Sequence, residues 1–134
     1  MILDELNVFG RAIVPTAEGK ASDILDWGTS GNALGTKVGA GHHGDDLLRT
    51  LSWHAQVMKA STAPITVTWE TADNPNFSDK VLLVTKTLTG TPAAGDKIVD
   101  GEPLPKGLKR YQRIVVTGGG GGEVFAFVCD AQHA

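Results

Sequence analysis

"YQRIVVTGGGGGEVFAFVCD", residues Tyr111 to Asp130, sets five consecutive glycines between two apolar runs. The reading of those glycines decides the fold. A phosphate-binding loop needs G-x-x-x-x-G-K-[ST], with a lysine to reach the phosphates and a hydroxyl for magnesium. Here Glu123 and Val124 follow the last glycine. A carboxylate at that place repels phosphate, and the following run has the alternation of a strand, so no helix N-terminus is offered to an anion. The glycines therefore read as a turn. Lacking Cβ, they adopt positive φ freely, and the spacing predicts that they join the flanking runs as an antiparallel hairpin. "YQRIVVT" (Tyr111 to Thr117) is rich in β-formers and "EVFAFVCD" (Glu123 to Asp130) is apolar on both faces, which predicts that both strands are central in a sheet.

The same period of two recurs outward from this pair. In "ITVTWE", Ile65, Val67 and Trp69 face one way while Thr66, Thr68 and Glu70 face the other, the pattern of a half-buried strand. "KVLLVTKTL" (Lys80 to Leu88) is a further strand. "DDLLRTLSWHAQVMKAS" (Asp45 to Ser61) fits either period, since Leu47, Leu48, Leu51, Ala55 and Met58 also line a helical stripe that Asp45 and Asp46 could cap. A strand is the expectation, because "TAPITVTWE" then reads as its returning antiparallel arm. Shorter strands are expected at "RAIV" (Arg11 to Val14), "DILDWG" (Asp23 to Gly28) and "KIVDG" (Lys97 to Gly101).

Proline and glycine punctuate these runs in "DNPNF", "GTPAAGDK" and "GEPLPKG", none of which continues a strand easily. Many short strands with such turns define an all-β class: a single-domain antiparallel β-sandwich of jelly-roll type over residues 1–134. Residues 1–10 are expected to form an amino-terminal arm. The longest irregular stretch, Gly28 to Asp46, is a glycine-rich loop expected to be long and exposed.

At 134 residues, one core suffices. With 41% hydrophobic and 20% charged residues the chain has the composition of a soluble globule, and no apolar run approaches the roughly 20 residues that span a bilayer. Asp4 and Glu5 stand where a secretory signal would carry basic residues, so no such signal is read. A formal net charge of -3 argues against nucleic acid as partner. Four cations cluster in "KGLKRYQR", which in strand-like sequence reads as a solvated face or a blunted edge. Cys129 is the sole cysteine, excludes an intrachain disulfide, and reads as a small buried filler.

Chemistry-bearing patterns are incomplete. In "GHHGDD" His42, His43, Asp45 and Asp46 are competent metal ligands, yet adjacent histidines on an extended chain point apart and no second pair completes a site. "DNPNFSDK" misses the calcium-loop spacing. No serine lies in G-x-S-x-G. Trp27, Trp53 and Trp69 could build a sugar platform, but Trp53 and Trp69 alternate with apolar neighbours and read as core. The chain is expected to be no enzyme and to hold no cofactor or metal.

Three segments resemble the Bordetella-phage type of capsid cement protein of tailed phages: "MILDELNVF"; "TVTWETADNPNFSD"; and "GEPLPKGLKRYQRIVV" followed by "GEVFAFVCDAQ". Most telling is the order of a proline turn at Leu104 to Gly107, then Arg110, Tyr111 and Arg113 opening a strand, then a glycine turn and an apolar strand ending in Asp130. The resemblance implies a small jelly-roll protein, often a homodimer, made in the host bacterial cytoplasm, that binds the outer surface of the virion head and staples neighbouring major capsid subunits. No catalytic residues come with it. Two sets of residues are the expected contacts: Ile2, Leu3, Leu6, Val8 and Phe9 of the arm, for their apolar surface, and Arg110, Tyr111 and Arg113. A virion carbohydrate-binding module is the rival expectation, followed by a small metal-dependent hydrolase using His42 and Asp45.

Overall fold

The computed structural model describes residues 3–26 and 51–130, with the main chain alone for 3–7 and 130. The described residues form nine strands and no helix: β1 (Leu3–Ile13), β2 (Lys20–Ala21), β3 (Leu25–Asp26), β4 (Leu51–Lys59), β5 (Ile65–Ala72), β6 (Val81–Leu88), β7 (Lys97–Pro103), β8 (Tyr111–Thr117) and β9 (Glu123–Asp130). Two antiparallel sheets result. One has four strands in the order β1-β9-β4-β7, the other five, with β2-β8-β5-β6 in line and β3 also paired to β8. The period-two reading of residues 51–59 holds, and β8 and β9 are central as expected. The loop expected at Gly28 to Asp46 lies outside the described residues.

Two expected pairings are overturned. β8 and β9 do not form a hairpin, and β4 and β5 are not partners; each connection carries the chain from one sheet to the other. β9 pairs with β4 from Leu51↔Asp130 to Lys59↔Glu123, and β8 pairs with β5 from Thr66↔Thr117 to Ala72↔Tyr111. A tight glycine turn serves a hairpin and an arch between sheets equally well, so turn chemistry alone does not choose between them. Burial does. The arches let Val57 and Val124 on one sheet face Ile65 and Val116 on the other, all fully buried.

The arches touch. Thr62 donates its N–H to Gly120 O at 3.0 Å, tying the β4–β5 connection to the β8–β9 connection. A Cβ on Gly120 would lie 2.3 Å from Ala63 N, and one on Gly122, at φ +94°, would lie 2.9 Å from Lys59 O. Glycine is thus required here for close backbone approach as well as for turning.

One core fills the sandwich. Trp69 sits at its centre, edge-on to Phe9 (centroids 5.0 Å apart, 82°) and to Trp53 (5.1 Å, 85°). Aromatic pairs in this geometry add about 0.5–1.5 kcal/mol to their area burial. Leu104 and Leu108, from the segment between β7 and β8, join the same cluster. The amino-terminal segment is corrected as well: Leu3 to Gly10 lie in β1, antiparallel to β9, and Phe9 is fully buried against Trp69. A segment that supplies a core aromatic is part of the sandwich and not a detachable arm.

Candidate functional site

Alternation along β4 and β9 defines the outer face of the four-stranded sheet. Trp53, Ala55 and Val57 face the core together with Val124, Ala126 and Val128. The intervening residues face away, in the cross-strand pairs Ser52↔Cys129, His54↔Phe127 and Gln56↔Phe125. This explains why "EVFAFVCD" is apolar on both sides: the outer side carries an aromatic row. The His54 ring stacks on Phe127 (4.9 Å, 9°), and Phe125 meets Phe127 edge-on (5.0 Å, 77°). The Arg11 guanidinium lies 5.4 Å over the Phe125 ring. Met58, 48% exposed, continues the row along β4. An open cleft lined by Val8, Gly10, Arg11 and Asp23 adjoins it at β1.

Within this face the structure unites residues that looked isolated in sequence. Ser52 Oγ lies 3.2 Å from His54 Nε2 and 3.9 Å from Cys129 Sγ. Burial lowers the His54 pKa below its usual value, opposed by the Asp100 carboxylate and reinforced by Lys97. Ser52 is only 2% exposed, so the contact satisfies two buried polar groups and presents no nucleophile to solvent. Cys129 is free and buried, the filler role expected of it. The signal for this cluster was the period-two set opposite Trp53, Ala55 and Val57.

The second set of nominated residues lies at one end of the five-stranded sheet. Arg110 donates from Nε and Nη2 to the two carboxylate oxygens of Asp26 at 2.9 and 3.1 Å, and its guanidinium lies 4.9 Å over the Tyr111 ring. The Asp26 hydrogen bonds raise the Arg110 pKa further above its usual value. Arg113 donates to Glu70 Oε1 at 2.8 Å and covers the Phe77 ring at 4.1 Å. Lys80 approaches the other Glu70 oxygen at 3.8 Å. The exposed Arg110–Asp26 pair is worth little in stability, whereas removing Arg113 would leave the Glu70 side chain, only 6% accessible, without its close partner in a largely buried place.

The "DNPNF" turn holds this corner. Phe77 has φ +56° and is 3% exposed. Its N–H donates to Asn74 O at 3.0 Å, while the Asp79 carboxylate accepts from the N–H groups of Asp73 and Asn74 at 3.2 and 3.3 Å. Desolvation would raise the Asp79 pKa, but these main-chain donors outweigh it and lower it.

Of the nominated arm residues, Val8 is half-buried beside the aromatic row, Leu3 and Leu6 are placed in β1 by their main chain, and Ile2 lies outside the described residues. Phe9 is buried and cannot serve as a contact surface. Trp53 and Trp69, 1% and 0% exposed, form no sugar platform. Trp27, His42, His43, Asp45 and Asp46 lie outside the described residues. Among the described residues no three His, Cys, Asp or Glu side chains gather to hold a metal ion. Compared with known proteins, the chain matches no family model and no curated sequence.

Proposed function

We propose that this chain is a capsid cement protein of the Bordetella-phage type, binding the outer surface of an assembled phage head and stapling neighbouring major capsid subunits. The observation that carries the reading is the outer face of the four-stranded sheet, where the exposed Met58, the half-buried Phe125 and the overlying Arg11 form an apolar, cation-capped patch beside the buried Phe127 and His54. Aromatic residues, methionine and arginine are the types enriched where proteins meet proteins. Alternation of strands between the sheets, in the orders β1-β9-β4-β7 and β2-β8-β5-β6, supports the jelly-roll form. Of the segments that carry the resemblance, the amino-terminal one has its described residues in β1, and the others fall on β5 with its turn, on the end of β7 with β8, and on β9.

A protein that binds the assembled lattice better than free subunits shifts the equilibrium toward assembly. A homodimer over a symmetry axis engages two equivalent sites, so the second contact forms at high effective concentration. Each footprint would be on the order of 800 Å² per partner.

Co-sedimentation with purified phage heads lacking the cement protein tests this. Wild-type chain is expected to pellet with heads in stoichiometric ratio, and Phe125→Asp combined with Met58→Asp to bind at least tenfold more weakly while melting as a folded protein. A wild-type chain that stays in the supernatant overturns the proposal.

A further inference from the structure

In the whole sequence an aspartate is followed by glycine once, at Asp100–Gly101, and no asparagine is. The pair bears on the covalent integrity of the chain, because a main-chain nitrogen next to a side-chain carboxyl can attack it and close a five-membered ring. A side chain on the following residue shields that nitrogen, and every other aspartate is followed by a residue that carries one. Glycine has no Cβ to do so.

The local structure leaves this pair open. In the β4–β7 ladder Trp53 pairs with Glu102 and His54 with Asp100, so Gly101 is the extra residue of a bulge. Its φ of +66° lies in the left-handed region that favours glycine. The pairing that restrains a regular strand is thus interrupted at the peptide bond in question, and burial does not replace it. The Asp100 side chain is 67% accessible, and Lys97, whose ammonium lies 3.3 Å from its carboxylate, is 53% accessible. An exposed pair of this kind holds the carboxylate weakly. Local opening takes least free energy where few buried contacts hold the chain.

We propose that Asp100 is a site of spontaneous isoaspartate formation in the folded chain, and that the conversion frees β7 from β4. The Gly101 nitrogen attacks Asp100 Cγ; an N–C bond forms, and one carboxyl oxygen leaves as water with the N–H proton and the carboxyl proton. The resulting succinimide takes up a water at its main-chain carbonyl, which breaks the original peptide bond and leaves the chain running through Cγ. Mass returns to its starting value, and the backbone is one methylene longer. There is no slack to take up that length. A Cβ on Gly101 would already lie 3.2 Å from His54 Cε1, and the neighbouring Val99 is held in the core at 1% exposure. The pairs His54↔Asp100 and Trp53↔Glu102 are therefore lost. The inference does not rest on the cement reading.

The test is incubation of the folded chain for weeks in H₂¹⁸O buffer at neutral pH, followed by trypsin digestion and electron-transfer fragmentation of the peptide from Ile98 to Lys106. An isoaspartyl product carrying one ¹⁸O at residue 100 is expected. It should form within tenfold of the rate in the same peptide free in solution, and at least tenfold faster than at any other aspartate. Asp100→Glu, whose longer side chain disfavours the ring, should fold normally and show none. Aged wild type should have a lower urea midpoint than fresh protein, and aged Asp100→Glu an unchanged one. A folded chain that reacts more than tenfold slower than the peptide, or that takes up no ¹⁸O at Asp100, overturns the site. Isomerised chain with an unchanged urea midpoint overturns the release of β7.

Discussion

Trp69 donates its indole N–H to Gln112 Oε1 at 2.9 Å across the β5–β8 ladder, and both side chains are fully buried. The amide in turn donates Nε2 to Lys109 O, so a single polar side chain satisfies the buried indole N–H and a partly buried main-chain carbonyl. A buried donor without a partner costs about 1–3 kcal/mol.

Gln112→Leu keeps the volume but orphans both groups, and is expected to destabilise the chain by about 2 kcal/mol. Gln112→Ala adds a cavity and should cost about 1 kcal/mol more. Urea denaturation followed by tryptophan fluorescence reads both. A loss under about 0.5 kcal/mol for Gln112→Leu would mean that the indole finds another acceptor.

The fate of the sequence reading follows from the range of the interactions involved. Alternation is local, so "ITVTWE", "YQRIVVT" and "EVFAFVCD" were legible as strands, and Trp53 and Trp69 as core. Pairing between distant strands is not local. Nothing within "VTGGGGGEV" says whether Val116 and Val124 end in one sheet or in two, because the answer depends on β4 and β5. Phe9 looked like surface for the same reason, since its partner Trp69 is sixty residues away. Apolar character on both sides of β9 marked a central strand, but not that its outer side would meet Ser52 and His54 of β4.

His54 makes stability depend on pH in a direction that can be worked out. Burial among Phe127, Ser52 and the approaching Gly101 lowers its folded pKa below the unfolded value near 6.5, although Asp100 pulls upward; Lys97 acts with burial. The unfolded chain therefore binds the proton more readily. Stability from a neutral His54 is full above about pH 6.5 and is lost as pH falls from there through the folded pKa. Urea midpoints between pH 7.5 and 5 should fall more for wild type than for His54→Gln, the difference isolating this residue from other carboxylates and histidines. Equal slopes would remove His54 as a titrating contributor.

The five glycines are chemically identical but not equivalent. Gly120 lies where a Cβ would sit 2.3 Å from Ala63 N and 2.8 Å from Thr62 C, both main-chain atoms next to the Thr62 N–H that donates to Gly120 O between the arches. Relief would need one inter-sheet connection to move off the other, breaking the contact from Thr62 to Gly120. Gly119 meets nothing within 4 Å and has no left-handed φ. Alanine there removes freedom from the unfolded chain at no native cost, a gain of about 0.4–1 kcal/mol. Gly120→Ala is accordingly expected to destabilise by on the order of 3 kcal/mol, the scale of a severe steric change, and Gly119→Ala to be neutral or stabilising. Thermal melting of the two variants side by side checks this. Equal effects would show that the run acts only as a flexible connector, whereas an asymmetry confined to Gly120 would show that backbone contact between the arches fixes how the two sheets join.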